Sequence, residues 1–128
     1  FKAAAAMIVP HPGLLAYTAA EAAYRHGDAW LAAQLAYLRR ARDLVQDAVA
    51  ASPGLSMTHV EATYLAWVDC RELDVDDPTA FFEAHGLGFQ AGREFGLPGY
   101  VRWNFATPHA RTREAIARLR RALASMSS

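Results

Sequence analysis

One arginine, Arg102, stands in the middle of the run Gly99-Tyr100-Val101-Arg102-Trp103-Asn104-Phe105-Ala106-Thr107-Pro108, which is otherwise largely aromatic and apolar. A guanidinium keeps its proton at any physiological pH, and its planar fork of donors matches a carboxylate bidentately. The chemistry open to such a residue is recognition of an anion. Pairing with a structural Asp or Glu, or a place on a solvated edge, would use the same residue differently, and the residues alone leave these alternatives open. Asn104, two positions on, shares the face of Arg102. It could support the guanidinium, touch the same ligand, or bond to backbone.

The other groups capable of chemistry are sparse. His11, His26, His59, His85 and His109 show no metal-ligand spacing and no cysteine accompanies them, so no metal site is assigned. Cys70 is the single cysteine and lies in an apolar run. That excludes an internal disulfide, marks it as a core residue, and suits a reducing, cytoplasmic compartment. Lys2 is the only lysine. Arg111, Arg113, Arg118, Arg120 and Arg121 cluster near the C-terminus and read as the solvated face of a helix.

The chain of 128 residues has 53% hydrophobic content and no formal net charge, which implies one unit able to bury a core. It also argues against a nucleic-acid partner, which requires a concentrated positive field. The apolar segment Ala3 to Val9 is too short to span a bilayer and lacks the basic lead-in and long apolar stretch of a signal peptide, so no membrane association is expected. Apolar on both faces, it reads as an interior strand whose sheet neighbours are missing. With Phe1 in place of Met, the chain looks cut from something longer.

Elements must hold the arginine strand in place. Pro12 to about Arg25 has Tyr17, Ala20 and Tyr24 at helical spacing, with Gly27 expected as a left-handed C-terminal glycine and Asp28 as the cap of the next helix. That second helix carries Leu31, Leu35, Leu38, Val45 and Val49, interrupted by Arg42, and should pack along one face. Ser52-Pro53-Gly54 breaks it and marks the boundary between segments 1–52 and 53–128. Met57 to Cys70 alternates like a strand, Asp76 to His85 reads as a short helix with Pro78 in its first turn, and Leu87 to Gln90 as a brief strand. A glycine-dense loop follows, with Gly92, Gly96 and Gly99, and with Arg93 and Glu94 expected to face solvent. After the Arg102 strand, Thr107-Pro108 should cap a last helix on Ile116, Leu119 and Leu123, with a frayed tail from Ser125. The succession predicts an α+β sandwich, a small mixed or antiparallel sheet covered on one side by helices.

Three stretches carry a family likeness: Glu61-Ala62-Thr63-Tyr64-Leu65-Ala66-Trp67-Val68-Asp69, then Gly92 with Phe95-Gly96 and Gly99, then Tyr100 to Ala106. Together they resemble the C-terminal part of class I/II pyridoxal-phosphate aminotransferases, and more narrowly their cystathionine β-lyase or C–S lyase branch. Upstream, Ala22-Ala23-Tyr24, Gly27, Trp30-Leu31 and Tyr37-Leu38 are similar to the long connecting helices of the same enzymes.

The resemblance implies a fold-type-I enzyme, a homodimer when complete. Residues 1–52 would be the end of the large domain and the connecting helices, and 53–128 the small domain that closes over an amino-acid substrate. Arg102 matches the arginine that clamps the substrate α-carboxylate, with Asn104 as a neighbour. The expected cofactor of the complete enzyme is pyridoxal 5′-phosphate, with none bound to this stretch alone. The Schiff-base lysine would precede Phe1, since Lys2 sits too late to be it, and no catalytic or cofactor-binding residue is assigned within the chain. A lyase would remove a proton from Cα and expel a thiol from Cβ, giving pyruvate and ammonia; an aminotransferase would return the proton to the cofactor. A binding module that keeps the small-domain fold without catalysis is the alternative of another class. The readings part on one observation: the enzyme requires a reading frame that continues upstream of Phe1, and a start codon immediately before it would exclude the enzyme.

Overall fold

The computed structural model describes residues 12–126. The expected strand at Ala3 to Val9, together with Lys2 and His11, lies outside them. The described residues divide into two compact units between Leu35 and Ala36.

The first unit holds helix α1 (Leu14–His26) and, after one residue, the beginning of helix α2 (Asp28–Ala50), which continues into the second. Gly27 is not the left-handed terminator expected. Its φ is −86°, it donates to the Ala23 carbonyl at 2.8 Å, and its own carbonyl accepts from Leu31 at 2.8 Å. Hydrogen bonding therefore passes through the junction. A Cβ at position 27 would strike the Ala23 carbonyl, so glycine serves close approach here and not an unusual φ. Asp28 is the first residue of α2, where its charge complements the positive end of the helix dipole, and not the residue before it. No residue of α1 is buried, and Tyr17, Tyr24, Trp30, Leu31 and Leu35 are exposed. The apolar stripe of α2 packs only in its later part, through Ala41, Val45, Ala48 and Val49.

The second unit is organised by a four-stranded sheet in the order β1-β2-β4-β3. Its strands are β1 (Ser56–Met57), β2 (Leu65–Asp69), β3 (Gln90–Ala91) and β4 (Tyr100–Asn104), and every pairing is antiparallel. The long strand expected from Met57 to Cys70 is two short ones. Thr63 adopts φ 67°, a left-handed turn that a β-branched residue rarely takes, and its hydroxyl accepts from the Leu65 amide at 3.3 Å. That turn ends any extended run through Tyr64. The third strand begins at Gln90, where Leu87 to Gln90 had been expected, because Gly86 turns at φ 76° and Leu87 bonds back to Phe82.

Helix α3 (Pro78–Ala84) starts as its sequence dictates: Asp77 accepts from the amides of Thr79 and Ala80, and Pro78 takes the first turn. Helix α4 (His109–Ser125) corrects the expected cap. Pro108 is its N-cap without a side-chain bond, and the Thr107 hydroxyl instead meets that of Thr112 at 3.2 Å. The helix also holds through Ser125, where fraying had been expected; Ser125 donates to the Ala122 carbonyl at 2.7 Å.

One face of the sheet is the core. Ala66 and Val68 of β2 and Val101 and Trp103 of β4 are buried in a cluster with Val45, Val49, Phe82, Phe105, Ile116 and Leu119. Phe82 has no exposed surface. Its replacement by Ala would leave a cavity costing about 3–5 kcal/mol. Urea unfolding of Phe82→Ala beside the unaltered protein checks this, and a loss well below 1 kcal/mol, on the order expected of a surface change, would contradict the packing.

Candidate functional site

The other face of the sheet carries the candidate site. Strand alternation sends Tyr100, Arg102 and Asn104 away from the core, and the ladder sets Arg102 opposite Trp67 on one side and opposite Gln90 on the other. Gln90 Oε1 accepts from both Nε and Nη2 of Arg102. The Phe95 ring lies 4.1 Å from the guanidinium carbon and the Trp67 ring 5.9 Å from it; the two rings meet edge to face at 5.5 Å. Cation–π attraction of this kind favours the charged group without neutralising it. Among the described residues Arg102 makes no ion pair, in contrast to Arg25, Arg42, Arg71, Arg93 and Arg118.

Arg102 and Gln90 also line an open cleft of about 510 Å³ with Trp103, Asn104, Thr107 and Arg111, and no carboxylate lines it. Asn104 shares the face of Arg102, but its side-chain oxygen accepts from the Ala106 amide at 2.9 Å, which turns the chain out of β4. Arg93 is exposed as expected and is also held to Asp77 at 2.8 Å, which ties the turn Gly92–Phe95 to the start of α3. Trp67 of β2 joins the arginine across the ladder, whereas Tyr64 precedes the strand. Gln90 and Phe95 escaped sequence reasoning, because cross-strand register and the path of a loop bring them in.

The end of the ladder is clamped by charge. Arg71 binds Asp69 side-on, with Nη2 to Oδ2 at 2.7 Å and Nε to Oδ1 at 3.0 Å, and sits 5.1 Å from the Tyr100 ring centre. The Arg71 hydrogen bond, helped by one from Tyr100, holds the Asp69 carboxyl well below the usual carboxylate range. The same Asp69 bond raises the Tyr100 phenol. Cys70, next along, is pushed up to about 12 by burial and, to a lesser degree, by the Asp69 charge. A thiol in that state is an inert core group and not a nucleophile. Among the described residues no three His, Cys, Asp or Glu side chains cluster as a metal site would require, and no helix is long and apolar enough to cross a membrane.

The sequence profile of "Aminotransferase class I and II" matches residues 2–119. A Mycobacterium leprae protein named "Putative cystathionine beta-lyase" is 37% identical over 88% of this chain and 32% of its own length. Protein MalY of Escherichia coli is 35% identical over 84% of this chain and 29% of its own. Among solved structures, OvoB superposes with a TM-score of 0.90 at 48% identity, over 95% of this chain and 32% of that one. A "putative plp-dependent beta-cystathionase" of Corynebacterium diphtheriae gives 0.83 at 34% identity, over 93% and 33%. The chain thus spans about a third of the length of the relatives it matches.

The buried thiol gives a signed pH test. Its raised folded value means that the neutral thiol's contribution is fully present below the unfolded value of about 8.5 and fades as pH rises toward the folded value of about 12. Urea unfolding of the native protein and of Cys70→Ala across pH 8 to 11, at about unit steps, should show an alkaline loss that is larger with the cysteine present. In the native protein Cys70 should react with a thiol reagent only as fast as the chain opens; rapid full labelling of folded protein would contradict its burial.

Proposed function

Because the chain belongs to the class I and II aminotransferase family, we propose that it supplies the substrate-carboxylate half of a pyridoxal-phosphate-dependent C–S lyase acting on a sulfur amino acid. The observation that carries this reading is an arginine held on the open face of the sheet with aromatic rings and a neutral amide around it and no protein carboxylate on it. The lyase branch is favoured over the transaminating one by the relatives named as cystathionine β-lyase and β-cystathionase.

In this reading residues 53–128 form the small domain that closes on the substrate, and residues 1–52 belong to the end of the large domain and the connecting helices. Arg102 binds the α-carboxylate end to end through two N–H groups. That grip fixes rotation about the bond to Cα, so the bond to be broken is presented in one orientation and the entropy of alignment is removed before reaction. The Phe95 and Trp67 rings exclude water from one side of the guanidinium, which strengthens its hold on the carboxylate. Asn104 acts through its side chain on the backbone: its Oδ1 accepts from the Ala106 amide, turns the chain after β4 and so sets where the strand ends.

Pyridoxal phosphate, when bound, serves as an electron sink for the pair left on Cα. The described residues contain no lysine to hold its aldehyde, so these residues do not fit that role, and the group that moves the Cα proton belongs to another part of the complete enzyme. A homodimer in the cytoplasm, without nucleic acid or membrane, is the assembly that accompanies this function.

The full-length enzyme should release pyruvate from cystathionine. Replacing Arg102 by Ala should cost about 2–5 kcal/mol of transition-state binding, roughly 30- to 4,000-fold in kcat/KM, with Lys recovering only part because it lacks the fork. Steady-state kinetics with a pyruvate-coupled assay checks both. An Arg102→Ala enzyme with unchanged kcat/KM sinks the carboxylate role, and turnover that requires a keto-acid acceptor and yields no pyruvate assigns the enzyme to transamination instead.

A further inference from the structure

We infer that Gln90 is a positioning residue: a neutral amide that locks the guanidinium of Arg102 so that only its terminal Nη1/Nη2 edge is left for a carboxylate. The inference rests on the carboxylate role of Arg102 and says how that role is enforced.

A guanidinium offers five N–H groups, arranged as a side edge of Nε with one Nη2 hydrogen and an end edge formed by one hydrogen each from Nη1 and Nη2. Gln90 Oε1 takes both donors of the side edge. Phe95 covers a face of the guanidinium at 4.1 Å, with Trp67 farther off. An anion must then approach in the guanidinium plane at the end edge, where two parallel N–H groups match two carboxylate oxygens. Free rotation about the last bonds of an arginine would otherwise allow either edge to be offered, at an entropic cost on each binding event.

The position of Gln90 is not incidental. Strand β3 is only the two residues Gln90 and Ala91, and its register puts Gln90 opposite Arg102 and Ala91 opposite Val101. Ala91 is buried, which anchors the strand, and the next residue is Gly92, where a Cβ would collide with the carbonyl oxygens of Leu97 and Tyr100. The short strand is thereby pinned immediately after its one side chain that reaches the arginine.

The charge of the partner matters as much as its reach. The carboxylate of a glutamate could accept the same two N–H groups, but it would neutralise the cation and compete with the substrate. An amide holds the geometry and leaves the positive charge available. The two other arginines bonded side-on in this unit, Arg42 on Asp43 and Arg71 on Asp69, have a carboxylate in that place and serve as structural clamps, so the same unit displays both uses.

The test uses the full-length, cofactor-loaded enzyme and two readouts: calorimetric binding of 3-(methylsulfanyl)propanoate, a thioether carboxylate without the amine needed for reaction, and the split between KM and kcat on cystathionine. Gln90→Ala should weaken binding of the probe and raise KM by roughly 3- to 10-fold, the scale of one net hydrogen bond, with kcat within about twofold. Gln90→Glu should weaken both by more than Gln90→Ala does, although it restores the hydrogen bonds and does not lower the thermal midpoint. A purely structural role predicts the reverse order, with Glu close to the unaltered enzyme. Glu binding the probe as well as Gln, or Ala leaving KM unchanged, overturns the inference. Should Arg102→Ala itself bind the probe normally, the carboxylate role fails and the inference falls with it, an outcome distinct from a reversed order of the Gln90 variants while Arg102→Ala still loses the probe.

Discussion

The antiparallel ladder between β2 and β4 is the constraint on which the second unit depends. Five residues of each strand face each other, from Leu65 with Asn104 to Asp69 with Tyr100. Because side chains alternate along both, this one register sends Ala66, Val68, Val101 and Trp103 into the core and Trp67 and Arg102 out together on the opposite face. A slip of β4 by one residue would bury the guanidinium against Phe82 and Leu119 and expose Val101 and Trp103. Desolvating an unpaired charge is costly enough that the register of the fold and the placement of the site are the same decision.

Around that ladder the polar groups divide into two kinds. At one end Asp69, Arg71 and Tyr100 satisfy one another, and the carboxylate is stabilised in its charged form. In the middle, Arg102 is held by groups that cannot neutralise it, a glutamine oxygen and aromatic rings. The contrast is chemical: a saturated ion pair fixes geometry and binds nothing further, whereas a cation with an amide on one edge and rings on its face keeps affinity for an anion. Preorganisation of this kind reduces the reorganisation left to the moment of binding.

Much of the second unit was legible from local rules. Asp77-Pro78 marks the start of α3, the buried and open faces of β4 follow from alternation alone, and the breaker Ser52-Pro53-Gly54 lies where α2 ends, with Ser52 bonded back to the Ala48 carbonyl at 2.8 Å. The misreadings share a cause. Gly27 looked like a terminator, Thr63 like a strand residue and Thr107 like a cap, and each behaves otherwise because its hydrogen-bond partners are chosen by neighbours in space or by a turn that composition does not reveal. Leu31 and Leu35 carry the right periodicity for packing yet are exposed, since a pattern states which face can be buried and not whether anything lies against it.

By itself the sequence determined the family, the α+β arrangement of the strands and helices, and the identity of the residue most suited to an anion, because these rest on residue types, on the two- and 3.6-residue periods and on the order of motifs along the chain. Only the tertiary structure decided what surrounds that residue. Gln90, Trp67 and Phe95 are 12, 35 and 7 positions away from Arg102, and cross-strand register with the turn Gly92–Phe95 brings them to one guanidinium. Local propensity is blind to such separations: which edge of an arginine is occupied, and by a neutral or a charged partner, is set by how strands pair and not by what stands next to it in the chain.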